Sequence, residues 1–546
     1  MWRHGEVGSD GVRAALLLLL FLGLGAYQLS LPGLHYDEAK EAGLNAMQLL
    51  TGQPVTAFRQ ATVRIGPWSL PLMVQDYIGA LNVLLAVPFL ALGGVNVVAL
   101  RWLPLLTGGL TLLLAWRVAR RLGGPWAAHA TALLLAVNPS FIFWSRQGIF
   151  VTNLTTLFFM ASLLTGLRWW QRQRPLDLWL TALFWGLGLY AKLLFIWAIG
   201  ALALLAAAAW ALRRRPVGAP TARAALTWLV AAACFLLPLI PLLVFNLRTG
   251  GTLASIFGNL DRSYYGVDNS AYLSNLAVRL GQVRTLLRGD HFWYLGGTFA
   301  DPWAPWLAGG LVVAATAVTA WQGPRRAGWS FLLPVALLML MVAQSAFTVS
   351  DLFVTHYALL LPLLPLAGGL AVAALLRARP RWLLVPALIG LLGWAGADLW
   401  TTVRYHAALT TFGGHSAHSS AIHDLAAYLQ RRNPPATVAL DWGMDAPLRF
   451  LTVGRISPDE VFGYERLDAP DDGFAERVRP FLDQPGTLYL AHTAEDTVFR
   501  GRVEALAALA AEQGRALCIE TQIAERSGRP LFVVYTIGTA TPDSTD

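Results

Sequence analysis

From residue 14 to residue 400 the chain is a succession of apolar runs of membrane-spanning length, joined by short stretches rich in arginine, glycine, proline and tryptophan. The runs are 14–31, 70–92, 97–119, 126–144, 150–167, 176–191, 193–212, 226–245, 305–321, 329–347, 357–376 and 382–400. Lipid offers no partner to backbone N–H and C=O groups, so runs of this length fold as helices that satisfy themselves. The class is a polytopic α-helical membrane protein. With 56% hydrophobic and 13% charged residues, a soluble domain is excluded for this part of the chain. The net charge of +9 does not point to nucleic acid, because the arginines sit in clusters between apolar runs rather than along one face. Cys234 and Cys518 offer neither a disulfide framework nor metal spacing.

The arginine clusters also count the spans. If 70–92 crosses the membrane, Arg117/Arg120/Arg121, Arg168/Arg172/Arg174 and Arg213/Arg214/Arg215 face away from Arg3 and Arg13, against the positive-inside rule. If it lies in the interface, these clusters share one side with Arg325/Arg326 and Arg377/Arg379/Arg381. Gln75, Asp76, Gly79 and Pro88 suit an interfacial or re-entrant segment. The expectation is therefore about 11 transmembrane helices plus outer interfacial helices, N-terminus inside and C-terminus outside. The first run lacks a small-x-small cleavage site and reads as an uncleaved anchor.

On that topology the polar residues that look out of place converge on the outer face. They are Asp37 and Glu38 in Leu34-His-Tyr-Asp-Glu-Ala-Lys-Glu41, the junction Ser145-Arg146-Gln147, Lys192 between two apolar halves, the loop 246–304, and Ser350-Asp351 with His356-Tyr357. A simpler reading of Asp37 and Glu38 is the acidic start of a surface helix over 39–50. Lys192 is the only charged residue between Asp177 and Arg213. Arg101 reads as a snorkelling side chain, and Asp76 as a capping or hydrogen-bonding group.

These residues, in order, resemble a family. Tyr36-Asp37-Glu38-Ala39-Lys40 is followed by Asn138-Pro139 with Ser145-Arg146. Gly186-Leu-Gly-Leu-Tyr-Ala-Lys192 comes next, and His356-Tyr357-Ala-Leu-Leu-Leu-Pro362-Leu-Leu-Pro365 last. The set is similar to the C-type-fold membrane glycosyltransferases of the protein O-mannosyltransferase and lipid A aminoarabinose transferase type. That resemblance implies inverting transfer of a sugar from a polyprenyl- or dolichyl-phosphate donor to a hydroxyl of a glycan, lipid or protein. It implies a site on the extracytoplasmic side of the plasma (cytoplasmic) membrane, among membrane lipids and without nucleic acid. It makes Asp37 the catalytic carboxylate with Glu38 beside it, and Lys40, Arg146, Lys192, His356 and Tyr357 the donor-phosphate ligands. Two stretches depart from the family pattern. Val151-Thr-Asn153 lacks the second acid found in many members, and Arg64-Ile-Gly-Pro67-Trp68 keeps little of a Lys-Pro-Pro-type signature. The sequence itself offers no metal-ligand cluster, and the resemblance leaves a divalent cation open. A transporter or lipid flippase is the alternative; charges at helix ends and the lack of a paired repeat weigh against it. A non-catalytic anchor would need far fewer helices.

Beyond residue 400 the composition changes. Residues 1–403 read as the membrane glycosyltransferase domain, with outer loops 32–96 and 246–304, and 404–420 as a His-rich linker. Residues 421–538 read as a small extracytoplasmic α/β domain and 539–546 as a disordered tail. Strands are expected at 437–440, 487–491 and 531–537, and helices at 472–479 and 502–513. His415-x-x-His418 reads as solvated linker rather than a metal pair, and Asp441-Trp442-Gly443 as a turn.

Overall fold

A computed structural model describes residues 4–212, 222–263, 265–322, 328–349, 353–378 and 381–539. The arginines expected at 213–215, 325–326 and 379, together with Ser350, Asp351 and the tail 540–546, lie outside the described residues.

The membrane part is helical, but its helices are shorter and more broken than the apolar runs suggested. Among the described residues five helices are long and apolar enough to cross a bilayer: Val97–Val137, Leu193–Leu212, Ala225–Thr249, Ala304–Gln322 and Arg381–Phe412. A sixth span counts if Val354–Leu360 and Leu363–Arg377, bent by 40°, are taken as one. The expectation of about eleven is therefore corrected, and the sidedness argument that rested on it falls too. The cause lies in the helix breaks. Pro175–Ala191 has 17 residues, Leu332–Ser345 14 and Leu363–Arg377 15. Even 17 residues reach only ~26 Å at 1.5 Å per residue, short of a hydrocarbon core of ~30 Å. Hydropathy also passes over backbone breaks. Within the run 126–144 Asn138 ends the helix Val97–Val137, its side-chain oxygen capping Pro139–Gln147 through the N–H of Phe141. The runs 97–119 and 126–144, expected as two spans, share that one helix, kinked at Gly124 with φ 77°. The run 70–92 is the end of the strand Trp68–Pro71, the hairpin Met73–Gln75/Ile78–Gly79 and the helix Leu81–Gly93, too short to span, and so is not one interfacial helix.

Buried ion pairs hold the helices together at one end. Asp10 accepts from Arg120 at 2.7 Å and lies 3.2 Å from His129, while Arg168 meets Asp177 at 2.9 Å. Close packing comes from small residues: Gly369 lies against the backbone of Ala127 and Thr131, where a Cβ would collide.

The last part of the chain is a five-stranded mixed sheet in the order Asp459–Glu460, Thr437–Ala439, Leu488–His492, Pro530–Thr539, Arg515–Ala524. Its first three strands are parallel and its last two antiparallel to their neighbours. Alternation along Leu488–His492 decides the two cores. Leu488 and Leu490 pack with Ile422, Leu425 and Leu448 on one face, and Tyr489 and Ala491 with Phe474, Val478 and Leu506 on the other. The polar stretch after 403 begins as helix, since Leu384–Phe412 runs through it.

This domain sits on the first loop. Leu34, Tyr36, Ala39 and Met47 share one buried cluster with Leu100 and Leu103 from the long helix and with Ala446 and Phe450 from the α/β domain. The acidic loop is thus clamped between membrane helix and domain.

Candidate active site

The loop enters helix at Tyr36. His35 Nδ1 accepts the N–H of Asp37 at 3.2 Å, a cap by a ring nitrogen. The turn Ala39–Gly43 is a π-helix in which the N–H of Leu44 reaches the carbonyl of Ala39, and α-helix resumes over Leu44–Thr51. An inserted π turn re-aims the side chains that follow it, and such turns recur at functional sites.

Glu38 is fully buried and bound to Arg101, itself fully buried. All five guanidinium N–H groups are used. Two go to Glu38 at 2.7 and 2.9 Å, and three to the carbonyls of Leu29, Pro32 and Gly33 at 3.0, 2.8 and 3.1 Å. Arg101 therefore does not snorkel: it is the post on which the loop is tied. Arg146 has a similar environment. It donates to the carbonyls of Gln28 and Leu31 at 2.6 and 3.1 Å, lies 3.4 Å from His406 Nδ1, and stacks on Phe143.

With Glu38 engaged, Asp37 keeps a carboxylate that is 35% exposed and 3.9 Å from His35 Nδ1. Lys40 lies over the Tyr36 ring at 5.1 Å. Lys192 interrupts the helical path between Pro175–Ala191 and Leu193–Leu212, extended at φ −159°. Its side chain is buried, its ammonium 6.0 Å from the Tyr77 ring, and it forms no ion pair among the described residues. Burial holds its pKa below the ordinary lysine value, against the pull of Glu41 and Asp37. The hairpin Met73–Gln75/Ile78–Gly79 joins this break to the first loop: Leu193 donates to the Tyr77 carbonyl at 3.0 Å, and the Tyr190 hydroxyl to the Leu72 carbonyl at 2.7 Å.

Asp37, Lys40 and Lys192 thus share one electrostatic neighbourhood, and Glu41 joins them. Sequence reasoning assigned Glu41 to the helix 39–50. The signal available was its position four residues after Asp37, where a helix returns to the same face. Glu41 is 2% exposed; its Oε1 accepts from Gln75 Nε2 at 3.3 Å and its Oε2 has no partner among the described residues. Burial raises its pKa well above the ordinary carboxylate range, reinforced by Asp37 and opposed by Lys192 and Lys40.

His356 lies within electrostatic reach of Lys192, and its Nδ1 is 3.3 Å from the Phe353 carbonyl. Tyr357 is buried, its hydroxyl 2.9 Å from Ser345 Oγ and its ring under Arg279. Asn153 donates to the Trp144 carbonyl at 3.2 Å, and Asp76 is held by both nitrogens of an Arg59 fork at 2.8 Å. The stretch from Arg64 to Trp68 is a tight hairpin turning at Gly66, φ 58°.

The α/β domain closes one side. Trp442, from the turn after Thr437–Ala439, packs its ring 4.8 Å from that of Tyr36. His418 stacks between His35 and Tyr294, centroids 4.2 and 3.9 Å away, so first loop, domain junction and second loop meet in one column of rings. His415 pairs with Glu525 at 3.1 Å. A divalent ion fits this arrangement poorly. No group of three or more His, Cys, Asp or Glu converges among the described residues, Glu38 is taken by Arg101, and Asn153 turns its amide to backbone.

The structure is thus a bundle of broken membrane helices with an acidic pair on its first loop, a lysine at a helix break, and an α/β domain seated on that loop. Residues 82–245 match the family described as dolichyl-phosphate-mannose-protein mannosyltransferase, a segment that holds Arg101, Arg146 and Lys192 but not Asp37. The fold is similar to that of ArnT from Cupriavidus metallidurans in the apo state, with TM-score 0.56 and 12% identity over 97% of this chain and 98% of that one. The same enzyme bound to undecaprenyl phosphate aligns with TM-score 0.54 and 14% identity over 98% of each chain. The Archaeoglobus fulgidus oligosaccharyltransferase in complex with Zn and sulfate aligns with TM-score 0.54 and 12% identity, over 91% of this chain and 69% of that one. No curated protein matches the chain in sequence.

Proposed function

We propose that the protein transfers a sugar, with inversion, from a polyprenyl- or dolichyl-phosphate donor to a hydroxyl of a glycan, lipid or protein acceptor. The reaction takes place at the extracytoplasmic surface of the plasma membrane. The observation that carries this reading is Asp37: an accessible carboxylate on a loop whose neighbours are fixed, with Lys40 and the buried Lys192, which forms no ion pair among the described residues, in its electrostatic neighbourhood. The fold shared with ArnT, solved with undecaprenyl phosphate, supports a lipid phosphate as the donor's leaving group.

In this reading the acceptor hydroxyl gives its proton to Asp37 as its oxygen attacks the anomeric carbon from the face opposite the phosphate. The bond from that carbon to the phosphate oxygen breaks, and the electron pair leaves with the phosphate. Lys192 and Lys40 stabilise the growing charge, and Lys192 does so most because burial strips away competing water. His356 sits on the same side as Lys192 and supplies a further donor. Glu38, Arg101 and Arg146 act by holding the loop. No step is routed through a metal.

The test is transfer from a panel of radiolabelled polyprenyl-phosphate sugars to membrane acceptors in liposomes. Sugar transfer by the wild type that is lost in Asp37→Asn supports the reading. Movement of lipid phosphate between leaflets without any sugar transfer would favour the flippase alternative.

A further inference from the structure

We propose that Glu41 is a second acid of the site, a neutral carboxyl whose Oε2 donates a hydrogen bond to the lipid phosphate held by Lys192. The inference rests on the donor class proposed above and deepens it by naming a residue outside the family-like motif.

The geometry is specific. Glu41 lies in the π turn on the loop that carries Asp37, so the turn presents its side chain inward. Gln75, from the hairpin pinned at the Lys192 break, donates to Oε1 and fixes the carboxyl plane. Oε2 is left buried with no partner among the described residues. A buried polar atom without a partner is costly, so one left in place beside unfilled hydrogen-bonding capacity points to a ligand. Lys192 has that capacity: it is buried and makes no ion pair among the described residues.

A carboxylate there would defeat phosphate binding, since it would pair with Lys192 and repel the ligand. A carboxylic acid does the opposite, because it leaves the ammonium free and adds an O–H donor. The charged and polar groups around Glu41 are Asp37 and Lys40 on its own loop, Gln75 on the hairpin, and Lys192 at the helix break. Burial and Asp37 favour the neutral form, and the two lysines oppose it. The sign follows: the O–H donor is present below the folded pKa of Glu41 and is lost as pH rises through it.

The probes are undecaprenyl and dolichyl phosphate without sugar, their binding to detergent-purified protein measured across pH beside a thermal melt of each variant. Wild-type affinity, taken relative to Glu41→Gln, is expected to fall in one limb as pH rises through the folded pKa of Glu41. Glu41→Gln, which keeps a neutral donor of the same shape, is expected to lose that limb and stay tight. Glu41→Ala is expected to bind about ten- to a hundredfold more weakly at low pH, the range for a hydrogen bond to a charged group. Superimposable pH curves for wild type and Glu41→Gln, or wild-type affinity in a folded Glu41→Ala, would overturn the proposal. Wild-type protein that ignores both undecaprenyl and dolichyl phosphate at every pH overturns the donor reading itself, a separate result.

Discussion

Glu38 and Arg101, 63 positions apart, form a fully buried bidentate ion pair that also gathers three carbonyls of the preceding loop. Two adjacent carboxylates thereby acquire different tasks, one bound to the scaffold and one free at the surface. Breaking a buried pair by removing one partner costs ~3–5 kcal/mol, because the other charge is stranded. Arg101→Ala and Glu38→Gln are therefore expected to lower the melting temperature strongly and to reduce activity through loss of folded protein. A Glu38→Gln protein that melts like the wild type yet fails to turn over would shift the catalytic task from Asp37 to Glu38.

Asp37→Asn makes the complementary case. The amide keeps the shape and the hydrogen bonds but cannot take a proton. Turnover is expected to fall ~10²–10⁴-fold, the span for a positioned general base, with donor binding and melting temperature unchanged. Equal turnover in Asp37→Asn and wild type removes Asp37 from the mechanism.

Lys192→Ala is expected to weaken undecaprenyl phosphate binding roughly ten- to a hundredfold, the worth of one charge-assisted contact at ~1.5–3 kcal/mol. Truncating a lysine that has no ion-pair partner among the described residues strands no carboxylate there, so the fold is expected to survive. Wild-type affinity in this variant would reduce Lys192 to a structural residue.

Lys192 stands out in the sequence as the one charge between Asp177 and Arg213, and Asp37 because it lies in a charged stretch directly after the first apolar run. The α/β domain was legible as well, since short apolar runs such as 487–491 and the amphipathic segments around them are local signals. The number of spans was not. Apolar composition continues through the Asn138-Pro139 cap, where hydropathy joins what the backbone divides, and it is interrupted at 119–126, where the backbone carries on as one kinked helix. Arg101 was missed for another reason. Near the end of a membrane helix, an arginine that snorkels and one that clamps a loop look alike until the partner 63 residues away is known. Glu41 was hidden inside a segment that also reads as an ordinary interfacial helix.

The ring column makes the joint between loop and domain sensitive to acid. Burial depresses the pKa values of His35 and His418 below the ordinary histidine value. Both therefore take up a proton at lower pH in the fold than the ~6.5 at which they protonate when unfolded. The unfolded state then binds more protons, so stability is complete above ~6.5 and falls as pH drops below it, by ~1.4 kcal/mol per pH unit for each histidine. His418→Phe keeps a flat ring between His35 and Tyr294 and removes one titrating group. Its melting temperature is expected to fall less steeply than that of wild type between pH 6.5 and 5, and parallel curves would show that His418 does not contribute.

Gly33 tests whether the clamp on the loop matters for chemistry. Its N–H donates to the His418 carbonyl at 2.8 Å, its own carbonyl accepts from Arg101 at 3.1 Å, and its α-carbon lies against the backbone of Ser419. A Cβ at this position would enter the van der Waals radius of the Ser419 carbonyl, and backbone on both sides leaves no flexible side chain to yield. Gly33→Ala must push the domain junction away from the loop, at a cost of ~1–3 kcal/mol for overpacking. Movement there tilts the segment that presents Asp37 and separates His35 from His418. The variant is expected to melt lower, to exchange amide hydrogens faster around residues 415–420, and to lose turnover beyond its loss of folded protein. Restoring the melting temperature with a saturating lipid-phosphate ligand, while turnover stays low, would place the defect in loop position rather than in stability. A Gly33→Ala protein with wild-type exchange and turnover would mean that the domain rests on the loop without setting its geometry.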